Sequence, residues 1–172
     1  MGATRQQELT IREQRPGDGA GLATLWLDGA TFYQTRFPED FRIPSEADLT
    51  DMFESSLGKP QPPDQRSTVA TRGDRIIGMA GGSLEPPHPS SQYQWNPSLG
   101  ILRLHIDNLV VLSEHWREGI GQRLVADLEA WGRELGATEA LTDTYYDSPV
   151  SRPFWEGRMG YRPRAVILRK RL

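Results

Sequence analysis

A β-branched run that breaks into a polar turn, and then into a glycine pair opening an amphipathic segment, is the feature that most constrains this chain. It reads Leu109-Val110-Val111-Leu112-Ser113-Glu114-His115-Trp116-Arg117-Glu118-Gly119-Ile120-Gly121-Gln122. From Ile120 the apolar residues Leu124, Leu128, Trp131 and Leu135 recur at the spacing of one helical face. The glycines therefore fall at a strand-to-helix turn, where unpaired backbone N–H groups and the helix dipole attract an anion. Glycine also lets the backbone approach an oxygen-rich ligand with no Cβ in the way. The expected ligand is a phosphate or pyrophosphate. The plainer alternative is that Gly119 and Gly121 only permit a tight turn.

At 172 residues the chain suits one α/β domain, residues 1–172, with a sizeable core. No apolar run approaches membrane-spanning length. Met1 to Gln7 is polar and lacks the apolar core of a signal peptide, so a cytoplasmic location is the default expectation. The absence of cysteine excludes disulfides, thiolate metal sites and cysteine nucleophiles. A net charge of −3 gives no global basic field for nucleic acid, and three histidines without close pairing argue against a metal centre.

In chain order, Leu9 and Ile11 read as a first strand and Pro16-Gly17-Asp18-Gly19 as a turn, with Asp18 capping the next helix. That helix carries Leu22, Leu25, Trp26, Ala30 and Tyr33 on one side. A second helix begins at Ser45-Glu46-Ala47-Asp48, with Leu49, Met52 and Phe53 facing inward. Ser67 to Thr71 and Ile76 to Gly82 form a hairpin about Arg72-Gly73-Asp74-Arg75. The proline-rich stretch Glu85 to Ser98 reads as a long loop, either a lid or a plain insertion. Ile101 to Leu112 is the longest strand candidate; its alternation slips at Asp107-Asn108, which implies a β-bulge. Gly136 stops the following helix. A strand then starts at Ala140, a short helix at Ser148-Pro149, and a last strand takes in Val166, Ile167 and Leu168. Helices interleave with strands throughout, the mark of a mixed α/β fold.

The run from Leu109 to Gly121 resembles the acyl-CoA-binding motif of the GNAT superfamily of N-acyltransferases. In that family a Val-rich strand end is followed by a Gln/Arg-x-x-Gly-x-Gly/Ala loop whose amides bind the CoA pyrophosphate. Here Trp116 stands at the Gln/Arg position, with Arg117 one place later. A second motif of the family, Asn-x-x-Ala-x-x-Leu/Phe-Tyr-Glu and then Gly-Phe, is similar to Ser148 to Glu156 and Gly160-Tyr161. Ser148 replaces the asparagine, Ser151 the alanine and Trp155 the tyrosine, with one extra residue near Gly157. The resemblance implies a GNAT-like fold with a splayed, bulged central strand. It also implies acetyl-CoA as co-substrate, held by Leu109, Val110, Val111, Arg117, Glu118, Gly119, Ile120, Gly121, Gln122 and Ser148. No metal is implied, and a homodimer stays open.

Acyl transfer to an amine needs a base for the ammonium proton, and a weak acid can protonate the departing thiolate; each contributes roughly 10²–10⁴-fold. In the family the base often projects from the central strand just before the Val-rich segment, and His105 and Asp107 match those places. An imidazole suits a base near neutrality. Asp107 could instead orient a cationic amine or pair with an arginine. The family's usual acid is absent, because the indole of Trp155 has only an N–H donor; Tyr145, or its neighbour Tyr146, could supply the hydroxyl. The acids between Glu39 and Glu54 would suit a cationic acceptor, or simply form a solvated face. The basic tail, Arg162 to Arg171, reads as a strand with exposed charges, with a 3′-phosphate contact as its second reading.

The leading expectation is thus an N-acetyltransferase acting on a primary amine of a small molecule or peptide, with no nucleic-acid or membrane partner. The replaced residues Ser148 and Trp155 keep a non-catalytic CoA-binding protein as the alternative. A dinucleotide-binding domain is the third reading, since Asp143 lies at a ribose-contact distance in sequence; Leu124 in place of a third glycine counts against it.

Overall fold

The computed structural model describes residues 8–170; Met1 to Gln7, read above for a signal segment, and Arg171 of the basic tail lie outside the described residues. Two compact units result, one reaching Leu141 and the other starting at Thr142. In the first, β1 (Leu9–Glu13), β2 (Gln65–Arg72), β3 (Arg75–Glu85) and β4 (Arg103–Val111) pair antiparallel in chain order, and β5 (Glu139–Thr142) is next in the sheet. Helices α1 (Gly19–Arg36) and α2 (Glu46–Leu57) precede β2, and α3 (Ile120–Glu134) joins β4 to β5. The Thr138 amide donates to the Leu102 carbonyl at 3.2 Å, so β5 sets off abreast of β4. No helix among the described residues is long and apolar enough to cross a membrane.

The core follows from the alternation read in β4. Leu104 and Ile106 are buried and lie under α3, whose Ile120, Leu124, Val125 and Leu128 are buried with them. Glycine makes the close approach possible: a Cβ at Gly132 would come within 3.2 Å of the Leu104 side chain. The β2–β3 hairpin turns through Gly73-Asp74 with Gly73 at φ +55°, the conformation that favours glycine. Strand β3 runs three residues beyond its expected end at Gly82, because Ser83, Leu84 and Glu85 pair with His105, Leu104 and Arg103. The bulge expected at Asp107-Asn108 is present: Gly81 faces Asn108 and Gly82 faces Ile106, leaving Asp107 as the extra residue.

Several local expectations give way to tertiary contacts. Asp18 occupies the N-cap position of α1 without capping it. Its carboxylate accepts instead from the Arg12 guanidinium at 2.7 and 2.8 Å and from the Arg15 amide at 3.0 Å. Burial alone would raise that carboxyl, but the Arg12 fork and the Arg15 amide outweigh it and hold it below its ordinary value. A depressed carboxyl stabilises the fold above its unfolded value, about 3.9, and the contribution is lost as pH falls through the lower folded value. The true cap of α1 comes from α2, where the Glu54 carboxylate accepts from the Gly19 amide at 2.7 Å and the Gly17 amide at 3.1 Å. Glu54→Ala leaves both amides unpaired and is expected to lower stability by about 1–2 kcal/mol, read as a lower urea midpoint at constant slope.

Ser45 caps α2 as expected, accepting from the Asp48 amide. Met52 and Leu135, expected inward, are exposed. Leu135 lies one residue past the end of α3, where the helical phase no longer holds it to the core. Trp26 is also partly exposed and meets Phe53 edge-on at 6.1 Å.

In the second unit the short helix α4 (Ser151–Pro153) starts two residues later than Pro149, the first position expected. Ser148 is buried in the preceding turn, and its hydroxyl accepts from the Ser151 amide at 3.1 Å. A π-helical turn over Phe154–Arg158 follows, closed by the Met159 amide on the Phe154 carbonyl at 3.1 Å. That turn absorbs the extra residue noticed near Gly157. Val166, Ile167 and Leu168 form no strand and are exposed, because β-propensity without a ladder partner does not hold a strand.

Candidate active site

The polar face of β4 carries the first half of the site. Leu104 points to α3, so His105 points the other way, opposite Ser83 on β3. The bulge then keeps Asp107 and Asn108 on that same side. Asn108 lies over Gly81, where a Cβ would come 2.7 Å from its Nδ2. His105 Nδ1 lies 2.8 Å from Asp107 Oδ1, and the Ser83 hydroxyl donates to the same oxygen at 3.1 Å. Farther down the face, the Arg103 guanidinium pairs with Glu85 at 2.8 Å. Helix α1 crosses the other end of β4, bringing Gly29 against Val110. The side chains of His105 and Asp107 are 24% and 43% exposed, within reach of a substrate.

The two residues read as candidates from the strand are thus brought together, and two others join them. Ser83 gave no local signal, since only the β3–β4 register places it beside Asp107. Asn108 had one in the broken alternation. Its Oδ1 is buried and has no hydrogen-bond partner among the described residues.

The second half is the connection from β4 to α3. After Leu112 come a 3-10 turn at Ser113–His115 and two left-handed residues, Arg117 at φ +69° and Gly119 at φ +79°. For arginine that conformation costs about 1 kcal/mol, which the surrounding contacts must offset. Gly119 is the N-cap of α3, and the first intrahelical bond runs from the Arg123 amide to the Gly119 carbonyl at 3.1 Å. The amides of Ile120, Gly121 and Gln122 precede that bond, as first-turn donors do. No acidic residue lies in the first turn, so the dipole is left for a ligand.

Side-chain contacts fix this loop to α1 and to the strand end. Asp28 on α1 accepts from the Ser113 amide at 2.8 Å and its hydroxyl at 2.9 Å. Trp116 packs edge-on against Phe32 at 4.9 Å, and its Nε1 donates to the Val111 carbonyl at 2.7 Å. The indole at the variant motif position therefore ties the loop back to the strand end. Val111, expected to offer its backbone to the ligand, enters the site with one carbonyl lone pair engaged.

Tyr145 and Ser148 belong to the second unit. Tyr145 is 40% exposed and Tyr146, also exposed, lies under the Arg152 guanidinium at 4.4 Å. Trp155 is buried between Phe154 and Tyr161, each 5.0 Å away, so it serves packing. Among the described residues no group of three or more metal-ligating side chains could hold an ion.

Solved structures share this fold. One is the tetramutant of the BH1408 protein from Bacillus halodurans, with a TM-score of 0.77, 18% identity, and 95% of this chain and 99% of that one covered. Another is the aminoglycoside N-acetyltransferase AAC(6')-Iy in complex with CoA, with a TM-score of 0.66, 18% identity and 99% of both chains covered. A third is the aminoglycoside acetyltransferase meta-AAC0020 from an uncultured soil metagenomic sample, in complex with sisomicin. It has a TM-score of 0.62, 18% identity, and 95% and 96% coverage of this chain and that one. A search of curated proteins finds no match. Residues 26–161, which take in the bulged strand, the glycine turn and the π-helical turn, match the acetyltransferase (GNAT) family, and the chain belongs to that family.

Proposed function

We propose that the whole chain acts as one acetyl-CoA-dependent N-acetyltransferase domain, with a primary amine of a small molecule or peptide as acceptor. The observation that carries this reading is the pairing of a His105–Asp107 dyad with an anion cradle at the two ends of one bulged strand. The cradle suits a pyrophosphate: left-handed backbone at Arg117 and Gly119, first-turn amides without intrahelical acceptors, and no acid in that turn. Arg117, Glu118, Gly119, Ile120, Gly121 and Gln122 would hold it by their backbone, with Leu109, Val110 and Val111 beside the pantetheine as an added strand would lie. Acetyl-CoA, when bound, supplies a thioester carbonyl that the amine attacks to give an amide and the CoA thiol.

The chain's own task is then proton handling. Asp107 holds His105 by Nδ1 and so favours the tautomer whose basic nitrogen is Nε2, which takes the ammonium proton directly or through water. Ser83 holds the carboxylate in turn. Tyr145 remains our candidate for the acid, and Ser148 for a cofactor contact in the second unit. The aminoglycoside acetyltransferases among the structural neighbours support a small amine as acceptor.

Titration with acetyl-CoA and with NAD in a thermal melt tests the cofactor. At a hundredfold excess over Kd, acetyl-CoA is expected to stabilise the fold by about 2.7 kcal/mol, roughly 5–10 °C for a chain of this size. Stabilisation by NAD alone would reject the proposal. A free-thiol assay across a panel of amines then tests catalysis. Binding without thiol release on any amine would favour the non-catalytic alternative, which the packed indole at the family's tyrosine position motivates.

A further inference from the structure

The tip of the β2–β3 hairpin grips the loop that opens α3. Arg72 Nη2 donates to Glu118 Oε2 at 2.5 Å, and Arg72 Nη1 lies 3.5 Å from His115 Nδ1. That ring nitrogen is itself 3.0 Å from Glu118 Oε1. Across the two-residue turn, Arg75 donates to Glu114 at 2.5 Å. Both carboxylates between β4 and α3 are therefore drawn toward the same hairpin.

Glu118 needs an explanation that the glycine pair does not give. It lies one residue before the N-cap of α3, in the field the cradle offers to an anion, yet its two oxygens meet Arg72 and His115. A carboxylate there would compete with a bound pyrophosphate. His115 first and Arg72 second hold the Glu118 carboxyl below its ordinary value, so it carries its charge at neutral pH.

We infer that Arg72, with His115 beside it, is a positioning residue for the anion cradle: it holds the Glu118 carboxylate against the hairpin and cancels its charge, leaving the amides that follow to the ligand. The inference rests on the acyl-CoA reading of the loop. Arg75 and Glu114 add a second tether, but they are half-exposed, and exposed pairs contribute little. The hairpin and the cradle are 46 residues apart in sequence at the Arg72–Glu118 contact, so the sheet register, not the motif, brings them together.

Arg72→Gln removes the charge and keeps a polar, though shorter, side chain. It is expected to raise the Kd and KM for acetyl-CoA roughly tenfold, as one uncompensated like charge beside an anion should. The kcat and the ligand-free melting temperature should stay near wild type. Adding Glu118→Gln removes the stranded charge, and the double variant is expected to return to within about threefold of wild-type affinity. Affinity in Arg72→Gln equal to wild type would overturn the inference. So would a double variant as weak as Arg72→Gln, because Arg72 would then act on the phosphate directly or through the loop's fold. A wild-type protein that does not bind acetyl-CoA overturns the acyl-CoA reading and this inference with it; wild-type binding with an indifferent Arg72→Gln overturns this inference alone.

Discussion

Gly121→Glu is expected to weaken acetyl-CoA binding severely while leaving a folded protein. Gly121 is the second residue of α3, inside the turn whose amides precede the first intrahelical bond. A glutamate at that place agrees with the helix dipole, so the ligand-free melting temperature should hold or rise slightly. The same agreement makes it a resident anion in the seat of the pyrophosphate. Glu118 escapes this conflict because Arg72 and His115 hold its carboxylate at the hairpin. Affinity by calorimetric titration should fall roughly a hundredfold or more, the scale of placing one anion where another must sit. Unchanged affinity in a folded Gly121→Glu variant would reject the placement of the ligand.

The parts of the fold that were legible in the sequence are those fixed within one turn of chain. The apolar spacing from Ile120 to Leu128 predicts α3, and its buried residues follow that spacing. Gly136, at φ +93°, ends the helix as a left-handed residue should. The hairpin at Gly73-Asp74 and the slip at Asp107-Asn108 were equally local. Where a partner from far along the chain decides, local reading misplaces the role. Asp18 has the chemistry of a cap, but Arg12 claims it and Glu54, 35 residues away from Gly19, caps the helix instead. Val166 to Leu168 has the composition of a strand and no ladder to join. Leu135 continues the helical spacing by one residue after the helix has ended.

The site divides along the same line. The turn into α3 was legible because the glycines and the helix start are one short motif. The side chains that hold the loop were not: Asp28, Phe32 and Arg72 reach it from α1 and the hairpin. Trp116, a departure from the family's motif, becomes intelligible only once its indole is seen on the Val111 carbonyl. On the strand, the spacing of His105 and Asp107 put them on one face. Their contact also needed a bulge that did not turn Asp107 away, and the hydroxyl of Ser83 needed the register of β3.

His105→Ala is expected to lower turnover roughly a hundredfold, within the range for loss of a general base, with acetyl-CoA affinity unchanged. The acidic limb of the kcat/KM profile should be lost with the ring that sets it. Asp107→Asn separates the two roles open to the carboxylate. The structure favours the orienting one, since Asp107 Oδ1 already receives both His105 Nδ1 and the Ser83 hydroxyl. If it orients the base, the variant loses kcat by roughly tenfold or more while the acceptor KM changes little. If it only attracts a cationic acceptor, the KM for that amine rises, kcat at saturation is kept, and neutral-tailed amines are unaffected. Ser83→Ala, which frees one side of the carboxylate without touching the ring, should follow Asp107→Asn in direction with a smaller loss. Near-wild-type turnover of His105→Ala on a good acceptor would make the histidine a bystander and move the base to Asp107 or to a water held by this face.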